Sequence, residues 1–191
     1  MPARDADPVP ELAARVRAAA PRLGRTRLVC IDGPAGSGKT TLADRLVTAL
    51  GDAAVVHMDD LYAGWTLTGA FERLASGVLA PISEGRPGSY HRYDWAEERF
   101  EDAPTAVQVP EVLVVEGCGS CPRAADAWAV LRVWVEAPQP VRLARGIARD
   151  GAALEPHWLR WHETEAAEFA AEHTRARADV VVDGMAPPAS R

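Results

Sequence analysis

The sequence predicts an α/β domain in which a parallel sheet lies buried between two layers of helix, and three observations point there. First, five short apolar runs recur at 28–31, 54–57, 112–115, 130–135 and 180–182. None alternates apolar with polar residues as a half-exposed strand would, and strands covered on both faces belong to parallel sheets. Second, the first run leads into Gly33-Pro34-Ala35-Gly36-Ser37-Gly38-Lys39-Thr40-Thr41, after which Leu42, Leu46 and Leu50 recur at helical spacing. A strand, a glycine-rich turn and a helix in that order open a nucleotide-binding α/β unit. Third, Asp59 and Asp60 follow the second run and Glu116 follows the third. Open α/β sheets bind ligands just past the carboxyl ends of their strands.

The remaining elements follow in order. Residues 1–26 form an N-terminal helical extension: 9–20 carries Leu12 and Val16 among several alanines, and Pro21 and Gly24 end it. The main domain is expected over 27–183. Within it, 80–110 mixes Pro81, Gly85, Pro87, Gly88, Pro104 and Pro110 with Tyr90, His91, Tyr93 and Trp95. That pattern reads as a hairpin or lobe over the sheet, and an irregular insertion of this length is commonly a binding loop or lid. A helical segment starts after Pro140, with 140–154 as a lid. The last helix, 156–175, places Trp158, Trp161 and Phe169 along one side, read as core, with Glu165 among them and no role assigned to it. Residues 184–191 are expected to be a disordered tail.

A chain of 191 residues with 48% apolar content has enough core for one ordinary domain. Its net charge of −6 argues against a broad nucleic-acid or anionic-membrane surface. No run approaches the ~18 apolar residues of a membrane span, and 1–26 is too charged for a secretory leader, so a cytoplasmic protein is expected. A homo-oligomer is compatible with the sequence. The three cysteines suit a reducing compartment. Cys30 reads as a small buried hydrophobe. Cys118 and Cys121 form a C-x-x-C, but no second pair or matching histidines complete a zinc site, so reduced thiols are expected.

The glycine-rich segment completes G-x-x-x-x-G-K-[ST], which predicts a nucleoside triphosphate, ATP or GTP, with Mg²⁺. Backbone N–H groups across Gly33, Ala35, Gly36, Ser37, Gly38, Lys39, Thr40 and Thr41 would turn toward the phosphates at a helix N-terminus. Lys39 would reach the β- and γ-phosphates, and the Thr40 hydroxyl would ligate the metal. Phosphoryl transfer needs little else beyond a metal carboxylate, a group to orient the attacking hydroxyl, and cations for the transition state. Asp59 is placed to take the hydroxyl's proton, with Asp60 its rival and a helix cap the other role for either. Glu116, ending an apolar strand, needs a cationic partner: either Mg²⁺, together with Thr40, or a buried arginine. Arg142, Arg145 and Arg149 fall on one helical face. Such a same-sign row is either a solvated face or a stripe facing an anion, and its place after the fourth run favours the anion, with Arg145 and Arg149 as the catalytic pair.

Four stretches together resemble the nucleoside-kinase branch of the P-loop kinases, which contains uridine kinase, phosphoribulokinase and bacterial pantothenate kinase. They are Gly33 to Thr41; Met58-Asp59-Asp60-Leu61-Tyr62, similar to the family's Asp-x-Phe-Tyr; Tyr90-His91-Arg92-Tyr93-Asp94-Trp95, similar to its Tyr-Asp substrate loop; and Val107 to Gly117, where a strand, a proline and Val-Val-Glu-Gly follow in the family's order. The resemblance implies a three-layer α/β/α P-loop fold with a five-stranded parallel sheet in the order 2-3-1-4-5. It implies a base at Asp59, a substrate site built from Asp59, Tyr62, Tyr90, Arg92, Tyr93 and Asp94, and lid arginines near Arg142 to Arg149. Transfer would run from ATP or GTP to a hydroxyl of a small molecule such as uridine or cytidine. The chain departs from uridine kinases after Tyr93-Asp94, where Trp95-Ala96-Glu97-Glu98 stands in place of a His-Pro segment, and its lid is shorter. A sugar, a vitamin precursor or an antibiotic intermediate is the alternative acceptor. A nucleotide-hydrolysing switch is the alternative of another class.

Overall fold

The apolar runs form one all-parallel sheet. In a computed structural model describing residues 7–185, its strands are β1 (Arg27–Asp32), β2 (Ala53–His57), β3 (Val112–Glu116), β4 (Ala129–Glu136) and β5 (Val180–Asp183). Their order across the sheet is β2-β3-β1-β4-β5, the order implied by the resemblance. β1 is central, pairing Leu28 with Leu113 and Ile31 with Glu116 on one side, and Ile31 with Val133 on the other. This register brings the ends of β1, β2 and β3 level, so that His57 lies opposite Glu116.

Side chains alternating along the strands feed two cores. One face packs Val29, Ile31, Val112, Val114 and Val133 against α1 (Val9–Ala18) and α2 (Lys39–Leu50). The buried residues of α1, Val9, Leu12, Ala13 and Val16, follow helical spacing. Helix α1 therefore belongs to the same core as the sheet, and Asp7 caps its first turn by accepting the Val9 N–H at 3.0 Å. The other face packs Leu28, Cys30, Val56, Leu113 and Val115 against Leu74, Val78, Leu79, Ile82 and Trp161.

Leu74, Val78, Leu79 and Ile82 belong to a continuous helical stretch, Ala70–Leu74, Ala75–Leu79 and Ala80–Ser83, whose middle is a π turn. The predicted insertion therefore starts later than residue 80. Ile82 is fully buried, and Pro81 sits directly after the π turn. The hairpin region follows as two small antiparallel pairs, Gly88–Tyr90 with Thr105–Val107 and Tyr93–Asp94 with Arg99–Phe100. Helices α3 (Gln139–Asp150) and α4 (Glu155–Glu172) come after β4, joined by Gly151 and the short turn Ala152–Leu154. No helix among the described residues is long and apolar enough to cross a membrane.

The expected tail begins with an ordered residue. The Gly184 N–H donates to the Glu136 carbonyl at 2.8 Å, and its own carbonyl accepts from Arg145 at 3.1 Å. The rest of that expectation, 186–191, lies outside the described residues, as do residues 1–6 of the N-terminal extension.

Candidate active site

The loop after β1 needs glycine for two reasons. Gly33 has φ +140°, and a Cβ there would collide with the Val135 carbonyl of the neighbouring strand. Gly36 has φ +77°, and a Cβ there would sit 2.6 Å from the Arg142 carbonyl oxygen. Both positions combine a backbone that L side chains rarely adopt with no room for one.

Three buried carboxylates surround this loop. Asp32, at the end of β1, accepts N–H bonds from Gly33 at 2.7 Å, Gly119 at 3.0 Å and Cys121 at 2.9 Å. It thereby ties the loop after β1 to the loop after β3. Burial pushes its carboxyl up to about 6, although those three donors and Lys39 pull the other way. Glu165, on α4, accepts the Ala35 N–H at 2.7 Å and pairs with Arg142 at 2.8 Å. Glu116, at the end of β3, accepts from the Thr40 hydroxyl at 3.1 Å and meets His57 Nδ1 at 2.7 Å. The Glu116 hydrogen bond raises the His57 pKa above its usual value against the effect of burial.

Lys39 is buried, its Nζ 3.0 Å from the Pro34 carbonyl. Burial opposes its charge, yet Cys118, Glu116, Asp32 and Asp59 outweigh that and hold its pKa above the ordinary lysine value. Asp59 is exposed to the cavity. Desolvation, followed by the neighbouring Glu116, raises its pKa against Lys39, Arg149 and His57. A carboxylate made more basic beside a fixed ammonium is suited to receive a proton.

Lys39, Thr40, Asp59 and Glu116 converge on one cavity of about 730 Å³ at the carboxyl ends of the strands. Of the predicted phosphate-binding residues, Ala35, Gly36, Gly38, Lys39, Thr40 and Thr41 line it. Gly33 lies behind the wall with its N–H turned to Asp32, and Ser37 is fully buried with its Oγ unpartnered. Asp59, Glu116, Arg145, Arg149 and Tyr62 also line the cavity. Thr40 and Glu116 offer a hydroxyl and a carboxylate side by side, the hard oxygen donors that magnesium takes when substrate phosphates complete its shell.

The arginine stripe divides along its length. Arg142 turns away from the cavity to Glu165 and to the carbonyls of Ala137 and Ala35. Arg145 donates to the Gly36 carbonyl at 3.1 Å, and Arg149 pairs with Asp150 at 2.7 Å. The residues expected as the substrate loop stand behind the cavity wall, in contact with residues that line it. Tyr90 donates its hydroxyl to Asp60 at 3.1 Å, and Arg92 binds the other oxygen of Asp60 at 3.1 Å. Tyr93 packs edge-on against Trp95 and Phe100. Asp94 faces solvent and accepts the Ala96 and Glu97 N–H groups, capping its own turn. None of these four lines the cavity; Trp95, which follows them, does.

Sequence reasoning missed Asp32, Glu165 and Trp65 and read Trp158 and Trp161 as core alone. The two tryptophans are buried, yet each turns part of its ring into the cavity beside Trp65. The three cysteines are free and buried, and no group of three or more His, Cys, Asp or Glu side chains among the described residues could hold a metal by itself.

No family model matches the chain, and no curated protein matches it either. Solved structures do. One, from Bacillus stearothermophilus and provisionally described as a uridine kinase, aligns with a TM-score of 0.67 and 20% identity over 92% of this chain and 97% of its own. Another, from Silicibacter sp. TM1040 and provisionally described as a fructose transport system kinase, aligns with a TM-score of 0.69 and 21% identity over 92% of this chain and 99% of its own. The chain thus has the fold of the P-loop kinases, along nearly its whole length.

Proposed function

We propose that this chain is a phosphotransferase that moves the terminal phosphoryl group of ATP to a hydroxyl of a small molecule. The observation that carries the reading is the meeting of Lys39, the Thr40–Glu116 pair and Asp59 in one cavity at the amino end of α2. The loop amides and Lys39 would hold the triphosphate. Arg145 and Arg149 supply positive charge from the α3 side, where it can offset charge spreading over the transferred group. Thr40 and Glu116 would hold magnesium, which when bound neutralises phosphate charge. Asp59 takes the proton as the acceptor oxygen bonds to phosphorus and the phosphorus–oxygen bond to ADP breaks.

The sequence likeness suggests a nucleoside such as uridine or cytidine as acceptor, and the provisional descriptions of the two structural neighbours name a uridine kinase and a fructose transport kinase. An acceptor screen read by phosphate mass shift and by ATP consumption tests the reading. Asp59→Asn should still bind Mg·ATP but lose transfer by at least ~100-fold. Transfer undiminished in that variant, or ATP consumption by the native protein that no acceptor accelerates, would overturn it in favour of a hydrolysing switch.

A further inference from the structure

Four of the chain's six tryptophans are residues 65, 95, 158 and 161, and all four line the cavity. Trp65 is the hub. Its ring stands edge-to-face with Trp95 at 5.7 Å, Trp158 at 6.1 Å and Trp161 at 6.0 Å between centroids. The cluster adjoins the base, since Trp95 Nε1 donates to the Asp59 backbone carbonyl at 3.3 Å. It therefore walls the acceptor end.

The polar side chains of that end already make hydrogen bonds within the protein. Asp60 gives one oxygen to Tyr90 and the other to Arg92. Asp150 holds Arg149 and accepts the Trp158 indole N–H at 3.0 Å. Tyr62 donates to the Cys118 carbonyl at 2.9 Å. The sequence contains no asparagine, and its two glutamines, Gln108 and Gln139, do not line the cavity. Among the described residues, the Asp59 carboxylate is the polar group of that end with no side-chain hydrogen bond, and the others offer an acceptor only the donors and lone pairs that their present bonds leave over.

Each class of acceptor meets this wall differently. A sugar or a nucleoside brings several polar groups that would lose water with few partners to gain against aromatic faces, an unfavourable exchange. An ammonium would suit aromatic faces, but the Arg149 guanidinium already stands 5.5 Å from the centre of the Trp158 ring and takes that face. A flat ring with few polar atoms gains from stacking and edge contacts and leaves nothing unpaired.

On these grounds, and resting on the kinase reading above, we infer that the acceptor is an uncharged alcohol borne on a flat, weakly polar ring. The tryptophan wall seats the ring, and Asp59 receives the hydroxyl proton as the oxygen takes the phosphoryl group from ATP.

The test is isothermal titration in saturating Mg·ADP with four probes: 2-naphthylmethanol, uridine, fructose and choline. 2-Naphthylmethanol should bind at least about tenfold more tightly than the other three. Trp65→Ala and the more exposed Trp95→Ala should each weaken it about tenfold while Mg·ADP affinity stays at the native value, which also reports that the variants are folded. Tighter binding of uridine, fructose or choline overturns the inference, as does naphthylmethanol binding that is absent or indifferent to both substitutions. Failure of the native protein to bind Mg·ADP or Mg·ATP at all would instead strike the kinase reading.

Discussion

Replacing Glu165 with methionine removes a buried anion and leaves its cation in place. The Glu165 and Arg142 side chains are 2% and 11% exposed, and they meet at 2.8 Å. Removing one member of such a pair costs ~3–5 kcal/mol, most of it from the charge left behind. Arg142 would keep the carbonyls of Ala137 at 3.1 Å and Ala35 at 3.3 Å, which favours the lower end. About 3 kcal/mol is therefore expected for Glu165→Met. In a domain of this size each kcal/mol moves Tm by ~2–4 °C, so the melting point should fall by roughly 6–12 °C. The Ala35 N–H, bound to Glu165 at 2.7 Å, belongs to the phosphate loop, so Mg·ATP affinity should fall as well. The assay is a double-mutant cycle by urea unfolding of the native chain, Arg142→Met, Glu165→Met and the double variant. The double variant should be more stable than Glu165→Met alone, because no orphaned charge remains. Additivity within about 0.5 kcal/mol, or a loss below about 1 kcal/mol for Glu165→Met, would refute the reasoning.

Gly33→Ala places a methyl group against the Val135 carbonyl at φ +140°, so it should lower Tm sharply, and an unchanged Tm would show the loop to be less constrained than the structure has it. Asp32 sets a pH dependence. Its folded carboxyl is held up to about 6 by burial, against 3.8 ordinarily, so the folded chain binds that proton more tightly than the unfolded chain. The stability contributed by the protonated form is complete below pH 3.8 and is lost as pH rises toward about 6. Asp32→Asn should lack this decline in a Tm–pH profile; native stability that rises relative to the variant across that window would reverse the sign and refute the assignment.

Much of the architecture was legible because it rests on local pattern. The five apolar runs, the glycine-rich turn and the Leu42–Leu46–Leu50 spacing are each visible within a dozen residues, and the observed sheet contains all five strands. Residues whose role depends on distant partners were not legible. Glu165 meets Ala35 from 130 positions away, and nothing near it in the chain marks that contact. Asp32 did carry a signal: a charged residue between the apolar run at 28–31 and Gly33 must find partners when buried, and it found three backbone amides. The Tyr90–Asp94 segment resembles a substrate loop in its letters. In the folded chain Tyr90 and Arg92 grip Asp60 while Asp94 caps a turn, and Trp95 enters the cavity instead. Trp65 lies outside any periodic segment, so only the fold reveals it as the centre of the aromatic wall.

The most direct measurement of the central claim, a triphosphate held by the loop after β1 and gripped by Lys39, is calorimetric titration of Mg·ATP into the native chain and into Lys39→Ala. The account predicts saturable binding by the native chain and affinity weaker by at least about 100-fold in the variant, as expected when a buried charge-assisted contact is lost. Equal affinities, or no binding to the native chain with magnesium present, would contradict it.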